Sequence, residues 1–271
     1  MTALTFALKE IPRQRIDLSP LTPDKLAGKS RKEIELITLQ SGTRKIPAAE
    51  IFRIKGDDAA NIIFTDACDK LDRIGADMTG GRIRIEGDTG AYLAFHTNGG
   101  EIILSGNAGA FVASGMKKGI IEVRGNVGDF LAAALPGDQR GMSGGTVIVR
   151  GNAGDRAGDH MRRGTLLIEG SAGDYCATRM TAGTIAVLGK VGILPGFAMK
   201  RGTLLLRKMP ERLPATFNDC GAHTFSFLPM LTQSWQIHGG KLARLPKAKS
   251  PMQRYMGDLA NNGKGEILIG I

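Results

Sequence analysis

Cysteine is scarce in this chain of 271 residues: only Cys68, Cys176 and Cys220 occur. No two of them are close enough in sequence for a CxxC redox pair or a zinc knuckle, so neither a disulfide framework nor a cysteine-bound metal is expected. Long apolar runs are missing too. Nowhere do about 18 apolar residues follow one another, which speaks against a membrane-spanning helix. The opening stretch "MTALTFALKEIPRQR" has no basic residue ahead of its brief apolar run, and this reads as a cytoplasmic chain without a secretory leader. Acidic residues are outnumbered, 26 Asp and Glu against 36 Lys and Arg, for a net charge of +10. Such an excess attracts nucleic acid, an anionic surface or an acidic partner. Nucleic acid fits poorly, because no helix-turn-helix, finger or aromatic-studded RNA-binding strand accompanies the charge.

What the sequence has in abundance is a repeat. Glycines that open an aliphatic segment stand at Gly81, Gly100, Gly119, Gly145, Gly164, Gly183 and Gly202, at intervals of 19, 19, 26, 19, 19 and 19 residues. Two and four residues after each opener the side chain is always aliphatic, from Ile83/Ile85 through Val147/Val149 to Leu204/Leu206. The residue between them varies freely, which is the period-two signature of a strand with one buried face. A glycine pair follows six and nine residues after each of the first six openers, usually around Asn or Asp, and marks a corner; positive φ is the expected reason. Thirteen residues on, the side chain is tiny, and two residues before that it is usually bulky, as at Tyr92, Phe111, Phe130 and Tyr175. Methionine precedes most openers by three residues, where a soft, unbranched side chain fills a corner.

A 19-residue unit with one or two short strands cannot bury its own apolar face, so neighbouring units must stack, like residue on like residue, about 4.8 Å apart. The expected fold is therefore mainly β: a right-handed parallel β-helix of about seven rungs over residues 71–207. A small β-rich N-terminal cap over 1–70 and an irregular C-terminal extension over 208–271 are expected to flank it. Candidate cap strands lie at 2–8, 34–39 and 51–54, and 61–78, which fits the repeat poorly at its start and well from Gly75 to Met78, reads as an incomplete first rung. The extension suits closure of the open end or contact with another subunit. The longer interval places a seven-residue insertion near 133–139, extruded as a loop.

Catalytic chemistry is thin. His96 and His160 share a repeat position but lie three rungs apart, about 14 Å, too far for a shared ion. Asp129, Asp155 and Asp174 form a column that could hold calcium, or could pair with Arg124, Arg150 and Arg156. Asp159 and His160 resemble an acid and a base, yet neighbours on a strand point to opposite faces and no nucleophile is at hand. No catalytic or metal-ligating residue is assigned. The basic corners are the candidate site: Lys117/Lys118, Arg162/Arg163 and Lys200/Arg201 fill the two positions before an opener on three rungs. They form one cationic edge suited to an extended polyanion, to an acidic subunit, or to plain solvation.

The iterated stretch "GNAGDRAGDHMRRGTLLIEGSAGDYCATRMTAGTIAVLGKVG" resembles the C subunit of formylmethanofuran dehydrogenase and of its bacterial relative, the formyltransferase/hydrolase complex. The rungs are also similar to the C-terminal solenoid of the glutamate synthase large subunit, but the ending "RYMGDLANNGKGEILIG" is similar to the C subunit. The resemblance implies a scaffold without an active site, in an assembly that moves a formyl group from formyl-tetrahydromethanopterin through a methanofuran-type carrier to formate. It implies as partners the amidohydrolase or A subunit, holding metal ions, the B subunit, and the formyltransferase or D subunit, with no cofactor bound by this chain alone. It also suggests that Lys117, Lys118, Arg162, Arg163, Lys200 and Arg201 meet the carrier's glutamate-rich tail or an acidic subunit. The alternatives are a molybdenum or tungsten formylmethanofuran dehydrogenase, a polyanion-binding module, or a polysaccharide-cleaving β-helix using the aspartate column.

Overall fold

The computed structural model describes residues 2–245 and 250–271; Met1 of the expected cap and 246–249 of the expected extension lie outside them. The chain starts with β1 (Ala3–Leu8), β2 (Ile16–Asp17), helices α1 (Pro23–Leu26) and α2 (Arg31–Glu35), the hairpin β3 (Thr38–Ser41) and β4 (Arg44–Pro47), α3 (Ala48–Ile51) and β5 (Phe52–Lys55). Next come β6 (Asp58–Ala67) and β7 (Leu71–Asp72). The repeat then lays down β8 (Arg82–Gly87), β9 (Asn98–Leu104), β10 (Lys118–Val123), β11 (Ser143–Val149), β12 (Arg163–Ile168), β13 (Thr184–Val187) and β14 (Thr203–Leu206). β15 (Asn218–His223), α4 (Leu228–Gln236), β16 (Met252–Gly257) and β17 (Gly265–Ile269) complete it.

Strands β8 to β14 pair side by side in parallel, and their register puts each aliphatic pair on the next: Ile83 on Ile102, Ile121, Val147, Leu166, Ile185 and Leu204. All fourteen inward aliphatics are buried to 1% exposure or less. A second line of single parallel bridges runs from Thr89 through Ala108, Val127, Ala153 and Ala172 to Val191. The chain is the expected parallel β-helix, with a continuous apolar core inside the coil.

The corner chemistry differs from the expectation. The openers do take φ between +80° and +104°, where a Cβ is strained. Of the glycine pairs, only Gly87 has positive φ; the others are required by close approach. A Cβ on Gly125 would lie 2.5 Å from the Gly106 carbonyl oxygen of the rung below, and one on Gly151 equally close to that of Gly125. The left-handed residues are instead the bulky and tiny ones of the opposite corner, Tyr92, Ala94, Phe111, Ala113, Phe130, Ala132, Arg156, Tyr175 and Ala177 among them. Asn and Asp between the glycines have another role. The side-chain oxygens of Asp88, Asn107, Asn126 and Asn152 each accept the backbone N–H of their counterpart one rung up, at 2.7–2.8 Å. That satisfies amides which the tight corner leaves without a carbonyl.

The parallel column reaches beyond the repeat at both ends. β6 pairs in parallel with β8, Ile62 on Ile83 and Phe64 on Ile85, a spacing of 21 residues that a 19-residue search passes over. β1 lies parallel to β6, and β5 closes the edge antiparallel to β1. Phe6, Phe52 and Phe64 fill this end with ring centroids 5.2–6.0 Å apart. Ile34, expected in a strand, is helical: Ser30 and Glu33 form a capping box, the Glu33 carboxylate accepting from the Ser30 amide at 2.7 Å, and start α2. At the far end β17 returns from the extension and docks in parallel on β14, Ile267 on Leu204. β16 and β15 then add antiparallel strands to it.

The rest of the extension runs along the outside of the coil rather than only over its end. Trp235 and Leu228 of α4, with Leu242, Leu245, Met252 and Ile271, bury the outward residues Ile148, Leu167, Ala186, Leu205 and Leu268. Arg150 locks this layer. Its guanidinium donates to Glu122 at 3.1 Å, to Glu169 at 2.6 Å and to the His238 carbonyl, while Glu169 also accepts from the Lys241 amide at 2.8 Å.

Candidate functional site

The corner before each opener builds a column. The amides of Lys117, Ser143, Arg162, Thr181 and Lys200 each donate to a carbonyl of the rung below, those of Thr97, Met116, Met142, Met161 and Met180, at 2.7–2.8 Å. The backbone is thus held and the side chains project outward. Lys117, Arg162 and Lys200 stand on alternate rungs, about 10 Å apart. Ser143/Gly144 and Thr181/Ala182 interrupt them.

The six basic residues do not form one continuous site. Lys117, Arg162 and Arg163 line a common cleft of about 420 Å³ together with His96, Arg140 and Ser143. Lys118, Lys200 and Arg201 are exposed but lie outside that cleft. No carboxylate lines it, and among the described residues none of the six basic side chains forms a salt bridge. Four permanent cations facing one cleft without a counter-charge repel one another, so an anion entering the cleft relieves that repulsion.

The remaining candidates have structural partners. The Asp129 and Asp155 carboxylates accept the backbone amides of Asp155 and Asp174 at 2.8 Å, and Asp174 accepts from Ile193 at 2.9 Å. One oxygen of each carboxylate is thus used by the next rung; among the described residues the column forms no salt bridge with Arg124, Arg150 or Arg156 and no converging set of three metal-ligating side chains. Arg124 and Arg150 turn to Glu122 and Arg156 lies over Tyr175. Asp159 and His160 do touch, contrary to the strand argument: they sit in a turn, His160 at φ +55°, with Nδ1 3.0 Å from Asp159. Asp159 is buried and its second oxygen meets Arg179. Burial pushes the Cys176 thiol up to about 12, which leaves it inert as a nucleophile. Among the described residues no three His, Cys, Asp or Glu side chains converge on a metal position, and no helix is long and apolar enough to cross a membrane.

Residues 71–223, more than half of the chain, match the family described as GXGXG motif. Over 95 residues the chain is 33% identical to the C subunit of tungsten-containing formylmethanofuran dehydrogenase 2 from Methanococcus maripaludis, covering 34% of this chain and 35% of that one. Over 89 residues it is 36% identical to the C subunit of the formyltransferase/hydrolase complex Fhc from Methylorubrum extorquens, covering 33% and 34%. The chain spans about a third of the length of the curated relatives it matches. The likeness in three dimensions is complete. A chain in the crystal structure of the formyltransferase/hydrolase complex (FhcABCD) from Methylorubrum extorquens, in complex with methylofuran, superposes with a TM-score of 0.93 at 35% identity over 98% of this chain and 99% of that one. The chain belongs to this C-subunit family.

In this member of the C-subunit family the repeat conceals part of the cationic site. Arg140 directly follows the insertion and His96 comes from a turn three rungs below that of Arg162, so neither stands in the column that drew attention to the basic corners. Lys264 was missed as well. Its amide donates to the Lys200 carbonyl at 2.7 Å, which continues the cationic edge onto the β17 rung. A basic residue just ahead of "GEILIG", matching "RGTLLL" in pattern, was the available signal.

Proposed function

We propose that this chain is the non-catalytic scaffold, or C subunit, of a formyltransferase/hydrolase complex, working in the cytoplasm. In this reading it assembles with the amidohydrolase (A), the B subunit, and the formyltransferase (D). The complex takes a formyl group from formyl-tetrahydromethanopterin, passes it through a methanofuran-type carrier with a glutamate-rich tail, and releases formate. The metal ions belong to the amidohydrolase partner, in keeping with the lack of a converging ligand set among the described residues. The observation that carries the reading is the end-to-end superposition on a chain of the Methylorubrum extorquens complex at 35% identity. It favours the hydrolytic assembly over a molybdenum or tungsten dehydrogenase because the superposed chain comes from that assembly; by sequence the C subunits of both kinds match over about a third of this chain.

Rigidity is what this chain contributes. Stacked rungs with a dry core change shape little, so partners docked on different rungs keep fixed separations. The basic edge of Lys117, Lys118, Arg162, Arg163, Lys200 and Arg201 attracts the acidic tail or an acidic subunit face. Lys117, Arg162 and Arg163 hold it most firmly because they share a cleft with Arg140.

Purification of the tagged chain from its native cell, followed by mass spectrometry, tests the assembly: an amidohydrolase and a formyltransferase are expected in stable ratio. A lone monomer, or turnover by the isolated chain, refutes it. Reversing the charge of the six basic residues should weaken carrier retention or complex assembly at low salt and less so at high salt. Unchanged retention and assembly remove the edge from the proposal.

A further inference from the structure

One surface of the coil carries a ladder of rings. The Arg73 guanidinium lies 5.0 Å from the Tyr92 ring centroid. Tyr92 stacks on Phe111 at 5.3 Å and 10°, and Phe111 on Phe130 at 4.8 Å and 4°. The ladder resumes with Arg156 at 5.0 Å over Tyr175. It is interrupted between Phe130 and Arg156, on the two rungs that the seven-residue insertion separates. The insertion is pinned at both ends, the Ala134 amide to the Asp159 carbonyl at 3.1 Å and the Gly141 amide to the His160 carbonyl at 3.0 Å. Beneath it lies a cleft of about 350 Å³ lined by Phe130, Arg156, Asp159, His160, Arg179 and the loop over 134–138.

The lining specifies a ligand. Phe130 uses one face against Phe111 and borders the cleft, while Arg156 borders it from the next rung, so a flat ring can lie against an aromatic face and a guanidinium together. The volume suits one substituted ring. Asp159 brings little net negative charge, because its side chain is 5% exposed and its oxygens are met by Arg179 and His160. Arg156 has no carboxylate within ion-pair distance among the described residues; the remaining acid of the lining, Asp138, is on the exposed loop. We propose that this cleft binds an aromatic or heteroaromatic carboxylate, its ring continuing the ladder above Phe130 and its carboxylate facing Arg156. The site is separate from the basic cleft and does not depend on the assembly proposed above.

The test is an amide NMR titration of the full-length chain with benzoate, cyclohexanecarboxylate and benzamide. Saturable benzoate shifts are expected around 130, 134–138 and 156, with cyclohexanecarboxylate about three- to tenfold weaker. Phe130→Leu should erase that preference and Phe130→Tyr should keep it, which separates loss of the ring from loss of the fold. Arg156→Gln should weaken benzoate about threefold or more and benzamide, which loses only the contact of its ring with the guanidinium, by less. Equal affinity for the two carboxylates, no saturable shift, or shifts centred on Lys117, Arg162 and Arg163 overturns the proposal.

Discussion

The two halves of the coil share a repeat but not an outer face. On β8, β9 and β10 the outward positions Arg84, Ile103 and Glu122 meet solvent fully or in part; on β11 to β14 and β17 the same position holds Ile148, Leu167, Ala186, Leu205 and Leu268, each at 1% exposure or less. The inward residues are alike in both halves. The difference teaches that a solenoid rung has one obligatory core and one optional one, and that the optional core exists only where another segment offsets its ordering entropy by burying a second apolar face. Arg150 sits at the boundary, tying Glu122 of the open half to Glu169 and to the covering segment.

The sharpest way to break the comparison is Arg150→Met. It strands the nearly buried Glu169, so a loss of about 3–5 kcal/mol is expected in urea unfolding. Trp235, the only tryptophan and 3% exposed, should report loosening of the covering layer by a red shift in fluorescence. A cost below about 1 kcal/mol means that the layer does not depend on this link. Leu205→Ala against Ile103→Ala comes next, one repeat position in the two halves. About 2–5 kcal/mol is expected for the covered leucine and less than about 1 for the half-exposed isoleucine. Equal costs would erase the distinction.

Gly125→Ala in the open half and Gly189→Ala in the covered half should cost the same, about 1–3 kcal/mol each. In both, a Cβ would lie 2.5 Å from a carbonyl oxygen of the rung below. A clear inequality in thermal or urea unfolding would show that the layer also props the corners. The smallest effect concerns Asp258, buried where the extension meets rung seven. Burial alone would raise its carboxyl, but the nearby Thr216 hydroxyl and hydrogen bonds from the Ala198 amide, Asn261 and the Ala260 amide hold it below the usual 3.8. A lowered folded value makes its contribution present above pH 3.8 and lost as pH falls through that lower value. Asp258→Asn should therefore flatten the acid limb of the stability curve below pH 3.8 and leave its slope at neutral pH unchanged.

Legibility followed regularity. The rungs could be read because Ile83, Ile102 and their successors face the same neighbours every 19 residues. β6 was legible only as the poorly fitting start of an incomplete rung, because its extra residues, with a bulge between Phe64 and Ala67, shift the spacing. β17 escaped because a long non-repeating segment precedes it. The outward residues left a faint trace that could have been followed: Ile148, Leu167, Ala186 and Leu205 are all apolar, whereas Arg84 and Glu122 are not. Half of the cationic site was legible from its columns. Arg140 and His96 were not, since an insertion and a turn bring them to the cleft.

By itself the sequence determined that the chain stacks: like aliphatics at a 19-residue interval broken only once, too few per unit to form a core alone, leave water only when units pile in register. The tertiary structure alone decided which cations share a cleft and which outer face is dry. Those outcomes depend on where the insertion and the C-terminal segment fold back, and such long-range contacts join residues that have no fixed spacing along the chain.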